Sequence, residues 1–374
     1  MLREHGVRQA AGRAHEPAKA AALAKNQLGV RPPAGLSCRP MTTNGSEKIP
    51  NQFLFVWDDN FLPYAAYLAI RTVAVQCNPE RIFLLKAPHL NDVPNFQRLQ
   101  REVACLQPVD IDLPAWLEEA GLPCTQKLLD ANSFLKERNF FGSVSDLLRS
   151  LFLYLHGGIY LDTDTLTLRD MNPLLELGGF TAEEHILLSS KIFKENSRWR
   201  YLRTAPLTVI RDICARFSWG VRCFQALSPL YTCVVHNATM GFRPRHPFMR
   251  DVLLRIAEKY PERPSRYPLL GPDTLQDLLE ENRYPNVSVL PPRCFSPLGP
   301  TMTFQYFHRR NGKTVDKLLK RIVQPDTYAI HWSNNLMIAK AIPQNDEDLQ
   351  RLGERQLFSR VALQAAFPKG LPAL

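Results

Sequence analysis

The stretch SVSDLLRSLFLYLHGGIYLDTDTLTL, residues 143–168, limits what this chain can fold into more than any other. Leu147, Leu148, Leu151, Phe152 and Leu155 recur with a helical period. Ser143 followed three residues later by Asp146 matches a capping box, and Gly157 with Gly158 supplies a stop. An extended apolar run begins at once after the glycines, so one bounded helix feeds directly into a strand.

That run carries two acids one residue apart. In a strand alternate side chains share a face, which would place Tyr160, Asp162 and Asp164 together and Ile159, Leu161 and Thr163 opposite. Two carboxylates held close at a half-buried site repel, and a cation beside them removes the cost. Hard oxygen ligands suit magnesium or manganese, ions that bridge readily to phosphate oxygens. The alternative is that both acids lie past the strand's end in a solvated turn. A calcium loop is excluded, because Leu166 and Leu168 stand where further oxygen ligands belong. On the preceding helix Asp146 and Arg149 are three apart and share a face separate from the leucine stripe. They form either a surface ion pair or one side of a polar pocket that faces the two acids.

The rest of the chain alternates in the manner of an α/β protein. IPNQFLFVW (49–57) reads as a buried strand, PYAAYLAIRTVAVQ (63–76) as a helix and RIFLLK (81–86) as a second strand. Strand, helix and strand within about 40 residues predict a right-handed parallel unit. VDIDL (109–113), ILLSSKIF (186–193), SVLPP (288–292) and TYAIHW (327–332) are further strand candidates, and no linker demands a second domain. The reading is a disordered basic leader at 1–47, a folded α/β domain at 48–340 and a partly helical tail at 341–374.

The net charge of +10 raises the possibility of a nucleic-acid partner, but its distribution argues against one. Residues 1–48 hold eight Lys and Arg against three Glu, which leaves 38 against 33 elsewhere, and no basic stripe is interleaved with aromatics. No run reaches the ~18 to 20 apolar residues of a membrane span. The eight cysteines lack zinc-type spacing and read as free thiols of a reducing compartment. A cytoplasmic protein, at a membrane surface or free, fits these features; the lumen of the secretory pathway is the alternative.

SVSDLLRSLFLYLHGGIYLDTDTLTLRDMNPL resembles the sugar-binding Asp-X-Asp region of glycosyltransferase family 32, which is related to the clostridial glucosylating toxins. NATMGFRPRHPFM (237–249), LLGPDTL (269–275) and VLPPRCFSPL (289–298) resemble further segments of that family in the expected order. The resemblance implies a GT-A fold, a Rossmann-like mixed sheet with the nucleotide-sugar at the carboxyl ends of its strands. It implies Asp164 as a metal ligand and Asp162 as a shared contact of ribose and metal. IHWSNN (330–335) resembles the closing motif of related enzymes, which makes His331 and Asn334 candidates for the third ligand and Trp332 a diphosphate contact. Trp57 matches the position of a base-stacking aromatic, and Tyr160 is either a donor-pocket residue or a packed aromatic. Asp146 would position sugar hydroxyls, and Arg149 would add positive charge near the diphosphate. Asn237 and Asp273 are candidates for the acceptor side.

The expected activity is transfer of a hexose or N-acetylhexosamine from a UDP-sugar to a glycan, lipid-linked or protein acceptor. It would depend on Mn2+ or Mg2+ and retain anomeric configuration. Two alternatives remain: a toxin-like enzyme that modifies proteins, and a non-catalytic protein that binds nucleotide-sugars.

Overall fold

Seven strands form the central sheet of the computed structural model: β1 (Gln52–Trp57), β2 (Arg81–Lys86), β3 (Leu106–Asp110), β4 (Gly158–Leu161), β6 (Gly179–Ile186), β7 (Thr232–Phe242) and β8 (Ser288–Leu290). Their order is β3-β2-β1-β4-β7-β6-β8, and β7 alone runs against the rest. β5 (Thr165–Thr167) and β9 (Ala329–His331) make a separate antiparallel pair. The structure describes residues 48–371, apart from 88–89, 91–92, 187–197, 218, 260–270 and 335, and omits the side chains of 198–205, 336 and 337. The leader and most of ILLSSKIF therefore lie outside the described residues.

Helices cover both faces of the sheet. Tyr64–Cys77 packs on one side with Phe53, Phe55, Ile82 and Leu84, whereas Phe141–His156 packs on the other with Leu54, Leu85 and Tyr160. The alternation of β1 explains this division, since Phe53 and Phe55 face one layer and Leu54 and Val56 the other.

β2 matches its sequence reading. VDIDL does not: β3 ends at Asp110 and a helix starts at Leu113. Asp112 caps that helix by accepting from the Ala115 amide at 3.2 Å, and Pro114 in its first turn needs no partner for an N–H it lacks. The expected capping box at Ser143 is absent as well. The helix starts at Phe141 with Phe140 as its uncapped N-terminal flank, so Ser143 and Asp146 lie inside it and Asp146 is released for another use.

Gly157 and Gly158 stop this helix as expected, and both have positive φ, +69° and +110°. A Cβ on Gly157 would stand 2.6 Å from Pro244 Cδ, and one on Gly158 would stand 2.7 Å from the Gln52 carbonyl. Turn and close approach thus require glycine at both positions.

The tail is part of the core. Helices Asp346–Gly353 and Leu357–Ala366 bury Leu349, Leu357, Phe358, Val361 and Ala362 in the cluster that covers Tyr64–Cys77. Asp346 fastens the first of them, accepting two bonds of 2.8 Å from Arg98 and one from the Tyr64 hydroxyl. Burial pushes the Asp346 carboxyl up, but these bonds outweigh it and hold it below the usual carboxylate range.

Two expectations follow. Phe358→Ala should cost about 3 to 5 kcal/mol in denaturant unfolding, because the ring stacks on Phe307 and meets Trp332 edge-on. Asp346→Asn should cost about 1 to 2 kcal/mol at pH 7. A carboxylate with a lowered folded pKa stabilises above its unfolded value, near 3.9, and loses that contribution as the pH falls. The difference between wild type and Asp346→Asn should therefore shrink as unfolding is measured below about pH 4.

Candidate active site

The site lies at the carboxyl end of β4. β4 stops at Leu161, and the next residues form a turn in which Thr165 donates its amide to the Asp162 carbonyl at 3.1 Å and its hydroxyl to the same oxygen at 2.7 Å. Asp162 and Asp164 therefore do not share a strand face. They lie past the strand's end, as the alternative held, but the turn is not solvated and both are drawn into contacts with distant segments.

Arg149 is the centre of one group. It is 4% exposed, on the third turn of Phe141–His156, with its guanidinium 4.2 Å from the centroid of the Tyr160 ring. It donates to the Asn237 carbonyl at 2.8 Å, to Ser145 Oγ at 2.9 Å and to the Ser145 carbonyl at 3.1 Å. Its Nη1 also stands 3.1 Å from Asp162 Oδ1, the oxygen to which Tyr160 donates its hydroxyl. Burial opposes the charge on Arg149, and Asp162, Tyr160, Asp146 and Asp164 more than compensate, so the group stays cationic.

Asp146, 8% exposed, has both oxygens engaged. Oδ1 accepts from the Asn237 side-chain amide at 2.5 Å and Oδ2 from the Gly271 backbone amide at 3.0 Å. Burial is the leading influence on its carboxyl and raises it above the usual range. Gly271 opens the helix Gly271–Glu280, and a Cβ there would lie 1.9 Å from Asn237 Nδ2. Asp273 sits in that helix's first turn. Asn237 is thus brought against Asp146 and Arg149.

The second group forms around Asp164. β5 pairs with β9 so that Thr165 stands opposite His331, which carries residues far apart in sequence to the same point. His331 Nε2 lies 3.2 Å from Asp164 Oδ1, the Asn334 amide donates to Asp164 Oδ2 at 2.7 Å, and the Trp332 amide donates to the Asp164 carbonyl at 3.1 Å. Burial disfavours charge on both members of the His331 and Asp164 pair. Their attraction overrides it, lowering the carboxyl and raising the imidazole to about 9.

Asp162, Asp164 and His331 each bring a ligand atom within 4.8 Å of the others. Two carboxylates and an imidazole are a donor set that a divalent cation such as manganese accepts, so these residues fit the metal that the motif implies. Asn334 takes part through its backbone N–H, which donates and ligates nothing. Trp332 is not placed to contact a diphosphate: it is 1% exposed, set edge-on to Phe307 and Phe358 in the core. Trp57 ends β1 half-buried, its indole donating to the Phe61 carbonyl at 2.8 Å. Tyr160 is a packed aromatic whose hydroxyl holds Asp162.

Sequence reading missed Glu184 and His236. With His331 they form a second group of ligand-type atoms within 4.8 Å, and the His236 and His331 rings lie 5.7 Å apart and nearly parallel. Glu184 Oε2, His236 Nε2 and His331 Nδ1 are buried without a hydrogen-bond partner. The Ala238 amide donates to His236 Nδ1 at 3.2 Å, which leaves the proton on Nε2. Burial is the main reason that His236 stays neutral, at about 3. Nothing in the spacing of GFTAEEHI marks Glu184 as different from its neighbour.

Residues 91–179, which include both aspartates, Asp146 and Arg149, match the family model described as the glycosyltransferase sugar-binding region containing a DXD motif. That segment, about a quarter of the chain, is similar to a DXD-type glycosyltransferase region. The mixed sheet around it, with one reversed strand beside the acids, is the kind of α/β arrangement that the sequence resemblance leads one to expect. No curated protein sequence matches the chain. Among solved structures it is similar to the PaToxG glycosyltransferase at 12% identity, covering 84% of this chain and 87% of that one with a TM-score of 0.43. Mouse xyloside xylosyltransferase 1 is similar at 11% identity, over 77% and 99% of the two chains, with a TM-score of 0.42. The glycosyltransferase GlyE of Streptococcus pneumoniae gives 12%, 85%, 61% and 0.38 in the same order.

Gly271→Ala should displace Asn237 from Asp146, since the new Cβ would stand 1.9 Å from Asn237 Nδ2 and 2.9 Å from Asp146 Cγ. The expected cost is about 1 to 3 kcal/mol in thermal or denaturant unfolding. Gly142→Ala, where a Cβ would meet nothing within 4 Å and the backbone does not have positive φ, serves as a control for the loss of a glycine alone.

Proposed function

We propose that the protein is a divalent-metal-dependent glycosyltransferase that takes a UDP-sugar donor, transfers a hexose or N-acetylhexosamine and retains anomeric configuration. One observation carries the reading: Asp162, Asp164 and His331 converge, with the buried Arg149 cation beside Asp162. The family match of residues 91–179 supports the class of reaction, and retention follows from the family 32 resemblance.

Breaking a sugar's bond to a nucleoside diphosphate leaves negative charge on the departing phosphates and positive charge on the sugar. A divalent cation held by Asp162, Asp164 and His331 would stabilise the diphosphate as it departs. Arg149 orients Asp162 through Nη1, and Tyr160 holds the same oxygen from the other side, so the carboxylate is fixed before a ligand arrives. Asp146 would accept sugar hydroxyls on the lone pairs that its two protein hydrogen bonds leave open. With both oxygens engaged, it ties Asn237 and the start of Gly271–Glu280 to the Arg149 group and so shapes the pocket wall. Glu184 and His236 bring further ligand-type atoms to within 4.8 Å of His331, beside this group.

A panel of UDP-sugars assayed for UDP release with and without manganese tests the reading. Wild type should turn over at least one donor only when the metal is present. Asp164→Asn should reduce that turnover at least about a hundredfold while the circular dichroism spectrum and melting temperature stay close to wild type. Equal turnover by Asp164→Asn and wild type would remove the metal role.

A further inference from the structure

Six of the nine large apolar side chains exposed among the described residues fall between 209 and 230: Val209, Ile210, Ile213, Phe217, Trp219 and Leu230. The others, Phe61, Val75 and Phe141, are scattered. Ile210, Ile213 and Phe217 follow a spacing of three and four residues at the end of Arg198–Arg216 and so share one face of it, whereas Cys214 and Ala215 are buried.

The structure holds this apolar face in position. Gln305, fully buried, donates to the carbonyls of Cys214 at 2.8 Å and of Ala215 and Phe217 at 2.9 Å. Gly220 approaches so closely that a Cβ would stand 1.6 Å from the Cys214 carbonyl oxygen. Within the turn fixed in this way the rings of Phe217 and Trp219 stack at 5.7 Å and 9°, each about half exposed at 51%. A fixed aromatic pair aimed at solvent differs from a loop tip that exposes its side chains by mobility.

Cations border the same face. Trp219 lines a groove of about 800 Å³ together with Arg222, Lys317, Lys320 and Arg321. The acids nearest in sequence are engaged elsewhere, Asp212 with Arg211 and Asp316 with Arg360. Exposed apolar patches with a polar rim mark interaction surfaces. Aromatic rings suit the boundary between lipid headgroups and acyl chains, and clustered Lys and Arg suit anionic headgroup phosphates.

We propose that this face docks on an anionic lipid surface, with Phe217, Trp219 and the neighbouring aliphatic side chains entering the headgroup boundary and Arg222, Lys317, Lys320 and Arg321 lying against phosphates. A second copy of the chain fits less well, because a two-fold contact would set these cations against their own equivalents. Nucleic acid would satisfy the cations and the rings but leave Val209, Ile210, Ile213 and Leu230 in water. The proposal is independent of the chemistry at Asp164.

Co-sedimentation of the full chain with vesicles tests it, using phosphatidylcholine alone or phosphatidylcholine mixed with phosphatidylglycerol. Binding to the mixed vesicles should exceed binding to neutral ones at least about tenfold and should fall as salt is raised. Phe217→Ser with Trp219→Ser, and separately Lys317→Glu with Lys320→Glu, should each weaken binding at least about tenfold at unchanged melting temperature. All four positions lie on the groove or the exposed turn, so the fold should tolerate them. Absence of binding to either vesicle, or binding unchanged in both double variants, would overturn the proposal. So would a concentration-dependent dimer, seen by sedimentation velocity, that Phe217→Ser with Trp219→Ser abolishes.

Discussion

The architecture around the candidate site depends on one buried charge, the Arg149 guanidinium. Placing a cation where it is 4% exposed costs several kcal/mol of lost hydration, and the cost is offset only if nearly every N–H finds an acceptor and a counter-charge is close. Ser145 on its own helix, the Asn237 carbonyl on β7 and Asp162 after β4 meet that demand, with the Tyr160 ring against the guanidinium. The helix, β7 and the turn after β4 are thereby tied together at one point.

The pairing of β5 with β9 supplies the other half. It lies outside the main sheet, yet it sets Thr165 opposite His331 and so brings the imidazole to Asp164. The site thus has a rigid side, built on the sheet and the Arg149 group, and a side contributed by a late segment of the chain. That late segment is supported in turn by the tail, since Trp332, which follows β9, rests between Phe307 and Phe358. Loss of the tail would undermine the strand that carries His331. The tail belongs to the fold for this reason, although its sequence looks like a polar appendage.

Much of the site was legible because it is local. The helix and its glycine stop, Asp146 and Arg149 on one helix face, and the two acids just beyond the glycines all depend on spacings of a few residues. The misreadings have local causes too. Asp112 and Pro114 start a helix inside what reads as a strand, and the early start at Phe141 removes the capping box and frees Asp146. Glu184 and His236 were not legible, because their neighbourhood arises from pairing between β6 and β7 and from a strand some hundred residues on.

The alternation of strands and helices, the turn at Gly157 and Gly158, and the nearness of Asp162 to Asp164 are already written in the order of residues. These follow from backbone sterics and from periodicity, which act over short stretches. Packing in three dimensions puts the acids in a turn and not on a strand, brings His331 to Asp164, ties Asp146 to Asn237 and Gly271, and buries Trp332 in the core. Each of these depends on burial and on hydrogen-bond satisfaction between distant segments. Sheet order and packing bring those segments together, and no local pattern in the chain records them.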